Sequence, residues 1–176
     1  HQDILDFDEL TLGKYKLIAN IPYYITGEIL RKFLGSNNQP ETIVLLLQKE
    51  VVDRVMARDG KESILSISIK AYGTPKYIQK VPARAFSPAP KIDSAILAIG
   101  NISKELFQDI AEEEFFKVVK TGFAHKRKQL INNLEKIANK DRILASFKKI
   151  GLEPAIRAEK LSVEQWVELT KLLGKS

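Results

Sequence analysis

Over its first hundred residues the chain alternates short apolar runs with stretches of helical spacing, and after residue 102 the strand-like runs stop. "YKLIAN" (15–20) is apolar and ends against Pro22. "GEILRKFLG" (27–35) places Ile29, Leu30, Phe33 and Leu34 at helical spacing. "TIVLLLQ" (42–48) reads as a strand buried on both faces, and "KEVVDRVMAR" (49–58) follows as a helix. This β-α-β-α order predicts a parallel sheet covered by helices. "KYIQKVP" (76–82) and "SAILAIG" (94–100) read as two closing strands around the loop "ARAFSPAPKID". "ESILSISIKAYG" (62–73) fits either a strand, by its Ile/Ser alternation, or a helix, by its length. Periodicity leaves that stretch open.

From Ser103 the signals are helical. Ser103 reads as a cap, "EEEFFKVVKTGFAHKRKQLINNLEKIA" as long helical material and Gly151 as a stop. "SVEQWVELTKLLG" is a final helix with Ser162 and Gln165 in capping-box spacing. A boundary near Asn101 to Lys104 therefore separates two domains, residues 1–102 and 103–176. Hydrophobic residues make up 44% of the chain, enough for a real core. Cysteine is absent, and His1 and His125 are the only histidines. A disulfide framework and a Cys- or His-rich metal site are thereby excluded, and a reducing, cytoplasmic setting fits. No apolar run reaches the ~18 residues that span a bilayer.

The net charge of +6 is unevenly distributed. Between Lys117 and Lys149 stand ten Lys/Arg against only Glu135 and Asp141. A lysine-rich stretch is ordinarily a solvated helix face. So lopsided a cluster in an otherwise nearly balanced chain points instead to an anionic partner, nucleic acid above all, with Lys126, Arg127 and Lys128 at its centre.

"NIPY" (20–23) lies where a strand ends, and in open α/β sheets ligands bind at the carboxyl ends of strands. Asn20 offers a side-chain carbonyl. Ile21, held extended by Pro22, can turn its backbone carbonyl the same way, and Tyr23 supplies a flat face. Two acceptors beside a ring suit the exocyclic amine of an adenine. The plainer reading is a strand end followed by a tight turn. Phe86, on the proline-punctuated "FSPAP" loop, is either a core plug or the second face of a clamp around a flipped-out base.

With "QDILDF", "NIPYYIT", "LLLQKEVVDRV", "VPARAFSPAPKIDSAIL", "GFAHKRKQLINNL" and "GLEPAIRAEKLSVEQW" in this order, the chain resembles the rRNA adenine N6-dimethyltransferase family, of the bacterial KsgA type. The resemblance implies a Rossmann-like α/β methyltransferase sheet followed by a small all-helical RNA-binding domain, and it makes 62–73 a helix. It also implies dimethylation of two adjacent adenines in the 3′-terminal hairpin of small-subunit (16S) rRNA, with S-adenosylmethionine (SAM) as donor, and a role in ribosome biogenesis on the immature small subunit. Asn20 and the Ile21 carbonyl would take the N6 hydrogens, with Tyr23 and Phe86 stacking on the base. Asp3, followed by Ile-Leu, falls on the family's Gly-Asp-x-Leu motif and would bind the SAM adenine amine, Gln2 replacing the usual Gly. Neither a membrane nor a metal enters this reading.

Three departures are visible. Tyr24 stands where Asn is commoner, and "AHKRK" replaces an Arg-Arg pairing. The family's glycine-rich loop, its ribose-binding acid and its first strands all precede the position of His1, so the chain resembles the C-terminal two-thirds of the enzyme. Alone, this stretch is expected neither to bind SAM appreciably nor to methylate RNA, since it contains no Gly-x-Gly, while its helical domain keeps RNA affinity. The strand ending at Asn20 should present an open edge. Two other readings remain. One is a large-subunit rRNA methylase of the macrolide-resistance type, which shares Asn-Ile-Pro-Tyr; the other is a non-catalytic rRNA-binding assembly factor.

Overall fold

The computed structural model describes residues 3–174. Four strands form one mixed sheet in the order β1 (Lys16–Asn20), β2 (Thr42–Gln48), β4 (Ser94–Gly100), β3 (Thr74–Val81). β1 and β2 are parallel, joined by helix α1 (Thr26–Gly35). β4 runs antiparallel to both β2 and β3. Helices α2 (Lys49–Val55) and α3 (Ile64–Lys70) fill the connection from β2 to β3 and pack against β2, β3 and β4.

One face of the sheet carries Ile43, Leu45, Leu47, Ala95, Leu97 and Ile99, all fully buried. The opposite face is only half covered, so β2 alternates buried and half-buried residues instead of being buried on both sides as its sequence suggested. The run "TIVLLLQ" is apolar on both faces, but helices pack on one. β1 forms an outer edge with Ile18 74% exposed, in keeping with the expected open strand.

The ambiguous stretch 62–73 is helical, as the resemblance implied. Ser63 Oγ accepts the Ser66 N–H, and Ser66 Oγ accepts the Ser63 N–H, a capping box that commits the segment to α3. Ile67 and Ile69 are fully buried beneath it.

After Gly100 the described chain contains only helices and turns: α4 (Glu112–Gly122), α5 (Leu130–Leu134), α6 (Lys140–Lys149) and α7 (Val163–Leu173). The Ser162–Gln165 capping box opens α7 as expected, and Gly151 follows α6 at φ +71°, the left-handed conformation that suits glycine. Ser103 caps no α-helix; its Oγ accepts the Glu105 N–H of a short 3-10 turn, and α4 begins at Glu112.

The expected long helix through residues 112–138 is broken at Phe123. Asn133, 1% exposed, donates from Nδ2 to the carbonyls of Gly122 (2.6 Å) and His125 (3.3 Å), taking up acceptors that a continuing helix would use. Leu130 N–H donates to Ile156 O, which starts α5 in a new direction. Good helix formers lose here to tertiary hydrogen bonds.

The helical layer is fastened to the sheet layer at two places. Tyr72, Phe107, Phe115 and Phe116 form an aromatic cluster beside which Tyr72 Oη donates to Glu112 Oε1 (2.6 Å). Burial, with the Glu112 carboxylate accepting its proton, drives the Tyr72 phenol far above its ordinary range. Lys104 Nζ reaches both Glu112 Oε2 (3.3 Å) and the Gly35 carbonyl that ends α1 (2.7 Å). At the second place Glu62 N–H donates to Glu159 O and Lys160 Nζ to Gly60 O.

Candidate active site

β1, β2 and β3 run in the same direction, so Asn20, Gln48 and Val81 end at one edge of the sheet. Register places Asn20 opposite Leu46, and Gln48 opposite Ser94, itself opposite Val81. The central strands thus project two residues beyond Asn20, about 7 Å, making one wall of a notch above it.

Pro22 cannot donate to a ladder and stops β1. The chain closes a 3-10 turn, Tyr23–Ile25, in which Ile25 N–H donates to Pro22 O (3.2 Å), and Thr26 begins α1. Within this corner Ile21 is the anchor, its side chain 7% exposed in the core. Asn20 and Pro22 on either side of it are exposed. No described residue hydrogen-bonds the Asn20 side-chain amide, so it is free to accept from a ligand. The Tyr23 side chain, expected to stack on the base, lies outside the described residues. Tyr24, the departure noted in the sequence, is 86% exposed and lines a groove between α1, α3 and α4 floored by Leu30, Leu34, Leu65 and Phe116.

Phe86 is half-buried and follows the 3-10 turn Ala83–Ala85 that leaves β3 at this same edge. β1 and β3 are separated by two intervening strands, about 14 Å at the usual spacing. Sheet order therefore brings Asn20 and Phe86 to one edge without bringing their strands together. The loop 82–93 joins β3 to the neighbouring β4 at this edge.

Sequence reading gave Asp93 no role, yet it holds this loop. Its Oδ1 accepts the Ala83 N–H (2.9 Å), its Oδ2 meets Lys80 Nζ (2.7 Å), and its carbonyl accepts the Lys49 N–H (3.0 Å). The Lys80 ammonium, and then the Ala83 amide, hold the Asp93 carboxyl below the ordinary aspartate range. The same hydrogen bond and charge raise the Lys80 ammonium above its usual value. Nothing local in the sequence marks Asp93, because its partners lie ten and more residues upstream.

Asp3 is exposed. Its Oδ1 accepts the Leu5 N–H (2.9 Å), and the other oxygen has no partner among described residues. Gln2 lies outside the described residues. For SAM the donor set fits in part. Asp3 keeps an oxygen that could accept from an exocyclic amine, and Asn20 keeps its amide at the edge where ligands bind, but no glycine-rich turn offers close backbone approach.

Lys126, Arg127 and Lys128 are exposed on the turn that Asn133 creates between α4 and α5, rather than on a helix face. With Phe123, Lys126 lines a cavity of about 700 Å³ that is also lined by Lys49 and Glu50, the first residues after β2, and Arg54. Arg127 and Lys128 do not line it. Among the described residues no helix is long and apolar enough to cross a membrane, and no acidic or histidine cluster is placed to hold a metal ion.

A family model described as ribosomal RNA adenine dimethylase matches residues 1–175. Ribosomal RNA small subunit methyltransferase A of Dehalococcoides mccartyi is 41% identical over 172 residues, covering 94% of this chain and 59% of that protein. The protein of the same description from Nostoc sp. is 40% identical over 167 residues, covering 90% of this chain and 61% of its own length. The chain thus spans about three-fifths of these relatives. Among solved structures, the 23S rRNA methyltransferase ErmE superposes with TM-score 0.77 at 24% identity, over 98% of this chain and 70% of that one. A dimethyladenosine transferase from Plasmodium falciparum gives 0.77 at 23%, over 96% and 69%. At these identities the two structures speak to the fold alone, a Rossmann-like methyltransferase sheet with helices.

Proposed function

Because the chain belongs to the ribosomal RNA adenine dimethylase family, we propose that it is the larger part of an enzyme that dimethylates N6 of two adjacent adenines in the 3′-terminal hairpin of small-subunit (16S) rRNA. In this reading the enzyme works in the cytoplasm on the immature small subunit, during ribosome biogenesis. Residues 1–102 carry the catalytic corner, and residues 103–176 hold the RNA. The observation that supports it most is the exposed Asn20 amide, without a partner among the described residues, at the carboxyl edge of the sheet beside a buried Ile21 anchor.

The lone pair of an adenine amine is delocalised into the ring, which makes the planar amine a poor nucleophile. The Asn20 side-chain oxygen and the Ile21 carbonyl would each accept one N–H in a bent arrangement that favours the pyramidal amine. This contact strengthens as the lone pair localises, so it stabilises the transition state more than the ground state. Pro22 keeps the backbone extended so that both acceptors can face one amine. Phe86, with Tyr23, would hold the base flat, and Lys126, Arg127 and Lys128 would neutralise phosphates of the flanking stem. SAM would be held by Asp3 and Asn20 and would supply the methyl group.

In a protein of the relatives' full length, Asn20→Ala is expected to lower the rate roughly 10²-fold or more, with RNA affinity nearly unchanged. Equal loss of both would show that Asn20 is only a turn residue.

A further inference from the structure

The loop carrying Phe86 is closed by one carboxylate. Across ten residues Asp93 Oδ1 accepts the Ala83 N–H, and the Ala83 carbonyl accepts the Phe86 N–H (3.1 Å). A chain of two hydrogen bonds thus runs from Asp93 to the backbone of Phe86. The Ala85 N–H to Pro82 O bond (2.9 Å) is the other bond of the turn. It ties the turn to itself, whereas Asp93 ties it to the sheet, because Ser94, the next residue, pairs with both Gln48 and Val81. Lys80 holds the second carboxylate oxygen and so fixes the direction in which the first one points.

We infer that Asp93 is a positioning residue for the base clamp: its carboxylate orients the 3-10 turn that presents Phe86 to the target adenine. The inference rests on Phe86 acting as proposed above. It assigns Asp93 no contact with the RNA or the methyl donor, and its effect on the reaction passes through Phe86.

The test uses this 176-residue chain and an RNA hairpin with 2-aminopurine at the target adenine, whose fluorescence reports stacking. The difference between the native chain and Phe86→Ala sets the range. Asp93→Ala should abolish most of that difference while RNA affinity, set by the untouched basic turn, moves less than about twofold. Ala83→Pro should do the same by a different route. It deletes only the N–H that Asp93 accepts, at the first position of a helical turn where proline fits, after a Pro82 already extended at ψ 148°. Asp93→Asn leaves one oxygen for two donors, the Ala83 N–H and the Lys80 ammonium; combined with Lys80→Gln, which frees that oxygen for Ala83, it should restore most of the signal. Emission from Trp166 verifies that each variant is folded, and Ala83→Pro carries the test if Asp93→Ala does not fold. Full stacking in folded Asp93→Ala and Ala83→Pro, with loss in Phe86→Ala, would overturn the positioning role and leave the clamp standing. An unchanged signal in Phe86→Ala would remove the clamp, and the role of Asp93 with it.

Discussion

Gly122 is the point at which the helical layer tolerates no added atom, and Gly122→Ala tests that packing directly. A Cβ built on Gly122 would lie 2.4 Å from Trp166 Cη2, 3.0 Å from Trp166 Cζ3 and 2.9 Å from Leu130 Cδ1. Both neighbours are wholly buried, and an indole cannot turn aside as the tip of a lysine could. Carbon atoms rest at about 3.5–4.0 Å, so the ring must retreat by about 1 Å or α4 must lift from α7. Overpacking of this kind costs about 1–3 kcal/mol, and a rigid neighbour on two sides puts Gly122 near the upper end. Alanine returns at most about 1 kcal/mol in helix propensity, and less at the last residue of α4. The net loss is therefore about 2 kcal/mol, or a fall in Tm of about 4–8 °C at this size. Trp166 is the single tryptophan, so urea unfolding followed by its emission reads the perturbed site itself. Gly27, within α1 and with nothing near its would-be Cβ, is the control. Gly27→Ala should be neutral or stabilising by about 0.5 kcal/mol. Equal or greater stability of Gly122→Ala would refute the close approach of α4 to the indole.

Replacing Lys126, Arg127 and Lys128 together by Gln should flatten the dependence of RNA affinity on salt, the logarithmic slope falling by up to about 3; an unchanged slope returns them to ordinary solvated charges. Ala57 sits at φ +50°, just past α2, so Ala57→Gly should raise stability by about 0.5–1 kcal/mol in denaturant titration, and a loss would show that the turn is not left-handed. The Asp93 carboxyl, depressed by Lys80 and the Ala83 amide, should contribute its loop closure in full above the ordinary aspartate pKa. That contribution is lost as pH falls through the lowered folded value. Amide exchange at Ala83, corrected for intrinsic rates, should speed up only in that acidic window. Loosening near neutrality would show that the carboxylate is not its partner.

Most strands and helices were legible because they carry their own period or their own stop: Pro22 after β1, Gly151 after α6, and Ser162 with Gln165 before α7. The corner at Asn20 was legible for the same reason, since a polar residue and a proline at the end of an apolar run are local facts. α3 defeated periodicity because both of its readings bury Ile67 and Ile69; the Ser63–Ser66 pair was the local signal that decides it. The break after Gly122 was hidden in a different way. Asn133 and Ile156, which end one helix and start the next, are distant along the chain from the break, and the residues at the break, 123–129, include good helix formers. Asp93 lies within the motif "VPARAFSPAPKIDSAIL", yet the amide it accepts from is ten residues back. The half-covered sheet face escaped as well, because an apolar run reports what a strand could bury, not what packs on it.

The two fastenings between the layers, Tyr72 and Lys104 on Glu112, and residues 60–62 on 159–160, make the molecule a gauge. The basic turn and the Asn20 corner belong to opposite sides of those bolts, so the span between them is set by protein packing. Under the proposed function, a stem gripped at Lys126–Lys128 delivers to the corner whichever nucleotide lies at that fixed remove. Selection among adenines would then depend on measured length. Loosening either bolt should blur the choice of nucleotide before it slows the chemistry.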